Sequence, residues 1–199
     1  MDAMLRLFRF RATHAGFDEV LRTTLLPDLM IQAGLVTAYS GRQGPDEIGP
    51  RIVASAWTTR EAMESAVGPR LGTFHPELLV DTTDRSLEVL PLVIERRFIA
   101  HDEARILRQL RGTVRSGEID LYVEEARAGT ELDARSDHGP CSLFLAKAAD
   151  DTFVTMSAWR SWHDIELATG GDVRRPRATR HHERLVDWEV DHFEIVPST

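Results

Sequence analysis

Ser55-Ala56-Trp57 decides how this chain is read, because the same three residues return as Ser157-Ala158-Trp159, 102 positions later. The surroundings keep that spacing. Ala66 and Gly68 follow the first copy, and Ala168 and Gly170 follow the second at the same distances. Upstream, Phe17, Val20, Leu21 and Thr24 fall at i, i+3, i+4 and i+7, one face of a helix. Ile119, Tyr122, Val123 and Ala126 repeat that stripe at the same offset. A repeat at about half the chain length marks two copies of one unit, expected over 1–101 and 102–199.

Outward from the two triplets, each copy organises in the same way. Residues 52–57 and 153–159 read as strands that end on the tryptophan, and their alternation puts Val53, Ser55 and Trp57 on one face. Residues 35–42 and 141–147 are their antiparallel partners, joined through Gly44–Pro50 in one half and Asp150-Asp151 in the other. Residues 5–12 and 105–114 are first strands, with Gly112 a bulge or a close approach. Residues 87–98 and 188–196 are last strands, and 71–85 is expected to be irregular. A helix from Phe17 breaks or kinks at Pro27 and stops at Gly34. Ser116 is expected to cap the matching helix of the second half. Thr58 or Thr59, and Ser161, are expected to cap short helices that end at Gly68 and Gly170.

Each half is thus strand–helix–strand–strand–helix–strand, the ferredoxin-like split βαβ unit. Leu5, Leu7, Phe8 and Phe10 place apolar groups on both faces of the first strand, so that strand is covered on both sides. The expected fold is α+β: two fused ferredoxin-like (βαββαβ) modules packing sheet to sheet as a dimeric-type α+β barrel.

Composition bounds the function. The chain has 199 residues, 42% hydrophobic and 28% charged, enough to bury a core. A net charge of −8 repels phosphate backbones, so nucleic acid is not an expected partner. Cys141 is the only cysteine, which excludes an intrachain disulfide. Arg6 and Arg9 interrupt the apolar start, so no signal peptide is read, no run reaches the length of a membrane span, and a cytoplasmic location is expected. There is no asparagine, and Lys147 is the only lysine, which fits codon bias in a GC-rich genome.

The strand ending and short helix resemble the antibiotic biosynthesis monooxygenase family of the dimeric α+β barrel superfamily. The carrying residues are Ser55, Ala56, Trp57, Glu61, Ala62 and Ala66, and again Ser157, Ala158, Trp159, Asp164, Ile165 and Ala168; Gly34 and Gly139 fit as well. The resemblance spans nearly the whole chain as two modules. It implies a pocket between sheet and helices, and a monomer built as a pseudo-dimer, or a homodimer. It also implies a cofactor-independent monooxygenase of an apolar or aromatic small molecule, quinol or polyketide-like, in which the deprotonated substrate itself reduces dioxygen. A haem-degrading relative resembles a pattern of first-strand Asn, helix Trp and later His. Here Asn is absent, Ala66 and Ala168 stand at the Trp position, and only His75 lies near the His, so haem is disfavoured. No cofactor is therefore expected. The alternative is a non-catalytic small-molecule-binding or structural barrel.

Several residues are candidates. Trp57 and Trp159 either anchor the short helices or line a pocket. His75 is either a surface or structural residue or a general base or ligand, and His163 an exposed residue of the second short helix. Tyr122 sits on the helix stripe facing the sheet, so its hydroxyl either finds a core partner or points into a pocket; it and His75 are the catalytic candidates. Arg9 and Arg11 either pair with carboxylates or bind an anion, and Tyr39 is the other tyrosine available to a pocket. Arg174 to Arg184 is a basic, proline-broken loop, either solvated, a binder of an anionic ligand, or a lid. His181 and His182 lack a third ligand, and no metal site is expected.

Overall fold

A computed structural model describes residues 3–67, 80–98, 103–133, 136–177 and 182–197. The boundary expected at 101/102 lies outside those residues. The strands are β1 (Met4–Ala12), β2 (Leu35–Arg42), β3 (Gly49–Trp57), β4 (Thr82–Arg97), β5 (Ile106–Val114), β6 (Ser142–Lys147), β7 (Thr152–Trp159) and β8 (Leu185–Ile195). Helix α1 is made of Phe17–Val20, a π segment Leu21–Leu25 and Leu26–Met30; α2 is Arg60–Val67, α3 Ile119–Asp133 and α4 Trp162–Thr169. In the first unit the strands are bonded in the order β4-β1-β3-β2-β8 and in the second β4-β6-β7-β5-β8, and β1–β3, β1–β4, β2–β3, β2–β8, β4–β6, β5–β7 and β6–β7 are antiparallel. The α+β class and the strand–helix–strand–strand–helix–strand order of each half are as the sequence predicts. No helix among the described residues is long and apolar enough to cross a membrane.

Residues 1–91 with 193–199 form one compact unit and 92–192 the other. In the first, β4 up to Pro91 pairs with β1, and the end of β8 pairs with β2 through Gly41↔Ile195 and Arg42↔Glu194. In the second, the rest of β4 pairs with β6 through Leu92↔Ala146 to Arg97↔Ser142. In each unit the helices lie on one sheet face. Phe17, Leu21, Leu29, Met63 and Val67 pack on Met4, Phe8, Phe10, Val53 and Trp57. Tyr122 and Val123 pack on Leu110, Leu143, Leu145 and Phe153. The opposite faces are buried as well: Leu5, Leu7, Ile52 and Ala56 in the first unit, Leu107, Val154, Met156 and Ala158 in the second.

The short helices start as read. Ala62 N–H donates to Thr59 Oγ1 at 3.0 Å, and Asp164 N–H to Ser161 Oγ at 3.1 Å, with Gly170 left-handed at the far end. Three expectations are corrected. Pro27 does not break α1: it sits in the first turn after the π segment, where a missing N–H costs least. Ser116 does not cap α3, because Glu118 C=O takes the first helical bond, from Tyr122 N–H at 2.9 Å. β4 begins at Thr82 rather than 87. The pairing shifts between Arg9 and Arg11, Asp84 opposite them takes a positive φ of 49°, and this bulge hides the alternation of the first β4 residues. Gly112 is a close approach, since β5 and β7 pair there without a shift.

Candidate functional site in the second unit

A cavity of about 70 Å³ opens between α3 and the sheet of the second unit. Leu110 of β5, Leu143 and Leu145 of β6, and Tyr122 and Ala126 of α3 form its apolar walls. Alternation delivers this lining: Leu143 and Leu145 are two apart on one strand face, while Tyr122, Ala126, Gly129, Thr130 and Asp133 run along one helix face. The polar groups are Arg108, Thr130, Asp133, Thr155, Ser157 and Arg177.

Arg177 makes two hydrogen bonds to the carboxylate of Asp133, and its guanidinium lies over the Trp159 ring, 5.7 Å from the centroid. Arg108 donates one Nη2 bond to the Arg175 carbonyl. So the basic loop is fastened over the cavity at 175–177, and Pro176 and Arg177 line it. Arg108 is 2% exposed. Burial, and then the like charge of Arg177, lower its pKa to about 10. Burial also raises the Tyr122 phenol, against the opposing influence of Arg108, so that hydroxyl stays protonated. The Tyr122 ring stacks on Phe153 at 4.4 Å between centroids.

The sequence candidates are distributed unevenly. Tyr122 lines the cavity. Trp159 is fully buried, and its indole N–H donates to Ser157 Oγ at 2.8 Å, so it stands directly behind a lining residue. Trp57 makes the same bond to Ser55 at 2.9 Å in the first unit. Arg9 pairs with Glu88 at 3.5 Å and Arg11 with Asp84 at 3.3 Å, both on the sheet face away from the helices. Tyr39 is buried on β2 of the first unit. His163 is exposed on α4, edge-on to His138 with 6.0 Å between ring centroids. His75 and His181 lie outside the described residues. Among the described residues no three His, Cys, Asp or Glu side chains are grouped to hold a metal ion.

The first unit places aromatic rings at the matching positions. Phe8, Phe10 and Phe17 stack there, with centroids 5.1 and 5.4 Å apart, where the second unit has Leu110, Gly112 and Ile119. Sequence reasoning missed Arg108 and His192. Strand period was the available signal for Arg108: even positions of β5 face the helices, and Arg108 is the charged one among them. His192 of β8 stacks on Trp162 at 4.9 Å, and its Nε2 is buried with no partner among the described residues. Burial, with Arg108 and Arg174 nearby, lowers its pKa to about 4, so it is neutral at pH 7.

Neither a family model nor a curated protein sequence matches the chain. Solved structures share the fold. A candidate monooxygenase from Fusobacterium nucleatum matches with a TM-score of 0.75 at 6% identity, over 98% of this chain and 92% of that one. Another from Lactobacillus acidophilus gives 0.73 at 10% identity, over 98% and 95%. A candidate chlorite dismutase gives 0.61 at 8% identity, over 98% and 95%. The chain therefore has an α+β fold found under two differently named chemistries, a likeness that shows the fold and assigns no chemistry. The cavity does not suit a haem: no His, Cys or Met lines it, and its volume is about 70 Å³.

Proposed function

We propose that this chain is a cofactor-independent monooxygenase of a small aromatic molecule, held between α3 and the sheet of the second unit. The carrying observation is the contrast between the units. One packs three phenylalanines into the sheet–helix layer, while the other leaves an apolar cavity there, backed by a phenol and a guanidinium. The monooxygenase names of two proteins with this fold support the same reading.

The protein's part is to hold the ring, exclude water and stabilise negative charge. The CH2 carbon of the substrate's keto form loses a proton, and the resulting carbanion adds dioxygen and a proton to give a hydroperoxide. Loss of water then leaves a carbonyl at that carbon. One oxygen atom enters the substrate, and the other leaves as water with the two hydrogens. Tyr122 is placed to donate to the developing oxyanion.

Oxygen uptake with a panel running from single-ring hydroquinones to anthrones tests this. One dioxygen is expected per substrate, with one labelled oxygen atom retained, and Leu145→Trp, which fills the cavity, is expected to abolish uptake. No uptake and no binding across the panel would sink the reading. A second reading, binding without chemistry, is favoured by a specific observation: burial keeps the Tyr122 phenol protonated and lowers the pKa of His192 to about 4, which makes its imidazole a weak base at pH 7. It predicts ligand binding with no oxygen consumed.

A further inference from the structure

We infer that the second unit's cavity is an anion site, in which Arg108 is the counter-charge for the oxyanion of a single-ring aromatic molecule. This deepens the reading above, naming the charge of the molecule, and rests on it only for the choice of cavity.

Three buried arginines make the case by contrast. Arg51 is wholly buried and fully used. Its Nε donates to Asp18 Oδ1 at 2.8 Å, its Nη1 to the Pro50 carbonyl at 3.2 Å, and its Nη2 to Glu47 and Asp46 carbonyls at 2.6 and 3.3 Å. This is how a structural arginine is normally buried. Arg6, at the position matching Arg108 in the repeat, is also buried but lies over the Phe8 ring, 5.5 Å from the centroid. Arg108 has neither solution. It has five N–H donors, one bond to a backbone carbonyl, and an Nε buried with no partner among the described residues. Its neighbour Arg177 is neutralised by Asp133, so the lining carries one uncompensated positive charge. That charge lies in a chain of net charge −8, where carboxylates are abundant and none among the described residues is bonded to it.

The cavity defines the rest of the ligand. Leu110, Leu143, Leu145 and the Tyr122 ring take an apolar body, and a volume of about 70 Å³ leaves room for no more than one ring. A phenolate and an aryl carboxylate share this chemistry.

The test uses the full chain and 4-nitrophenol, whose ionised form is yellow, with benzoate as the carboxylate arm and nitrobenzene as the neutral isostere. Bound 4-nitrophenol is expected to ionise about one pH unit lower than in free solution. Both anions are expected to bind at least tenfold more tightly than nitrobenzene. Arg108→Met should remove that preference and the ionisation shift while leaving nitrobenzene bound as before, and Arg6→Met should change neither. Equal affinity for the neutral and anionic probes, an unshifted ionisation, or an unaltered Arg108→Met variant overturns the site, as does failure of both anions to bind. If Arg108→Met does not fold, the wild-type titration and Arg108→Lys decide, the lysine keeping charge but losing the forked donors. Anion binding with no oxygen uptake would remove the monooxygenase reading alone; uptake with a neutral preference would remove the anion site alone.

Discussion

The repeated tryptophans each solve a small polar problem. A buried indole N–H needs an acceptor. A strand offers one two residues earlier on the same face, and both copies use it: Ser55 for Trp57, Ser157 for Trp159. Period two along a strand made that bond legible in the sequence, although the triplet reads first as the signature of a repeat. Removing one oxygen tests its worth. Ser157→Ala leaves Trp159 Nε1 buried without a partner and is expected to cost about 1–3 kcal/mol. Ser40 is the internal control: its Oγ is buried with no partner among the described residues, so Ser40→Ala is expected to be neutral or slightly stabilising. Urea midpoints for the two variants check this; equal losses would mean that the Ser157–Trp159 bond carries no net stability. Arg108 was harder to read. Strand alternation puts it beneath the helices, but only a layer emptied by the loss of bulk at Leu110, Gly112 and Ile119 gives it a cavity to face.

At the scale of elements, strands were read well because alternation is local, and the misreadings fall where a neighbour changes the local rule. The bulge at Asp84 breaks the alternation of β4, and the π segment accommodates Pro27 in α1. The two units also fill one cross-strand position differently. In the first, Phe10 of β1 faces Arg51 of β3; in the second, Gly112 of β5 faces Phe153 of β7 at the equivalent register. Phe153 fills the space over Gly112 and meets Tyr122, which replaces the smaller Val20. A Cβ on Gly112 would come within 2.6 Å of Phe153 Cζ, so Gly112→Ala is expected to destabilise by about 1–3 kcal/mol through overpacking. Adding Phe153→Leu should return part of that loss, a non-additivity visible in thermal midpoints of the single and double variants. Strict additivity would mean that the two positions do not share this space.

For the whole molecule, the α+β class and the order of elements along each half followed from the repeat, because one ferredoxin-like unit was read twice. What the repeat does not convey is which unit each terminal strand serves. Residues 92–97 of β4 pair with β6, and 193–195 of β8 lie with the first unit. Val196 N–H also donates to the Ser40 carbonyl at 2.8 Å. A cut at 101/102, the place the repeat suggests, therefore removes an edge from both products. The fragment 1–101 loses the strand end over Gly41, whose absent Cβ lets Phe193 approach; a Cβ there would sit 2.6 Å from that of Phe193. The fragment 102–199 loses the partner of β6 and leaves its N–H and C=O groups unpaired, an edge prone to association. Each fragment alone is expected to aggregate or to unfold without a cooperative transition. Mixed at equal concentration, they are expected to recover the circular dichroism and the urea transition of the intact chain, because the missing strands are then supplied in trans. Size-exclusion chromatography and urea titration of the separate and mixed fragments check this. A monomeric 1–101 fragment with its own sharp transition would show that its unit does not depend on β8, and that the repeat boundary is also the boundary of folding.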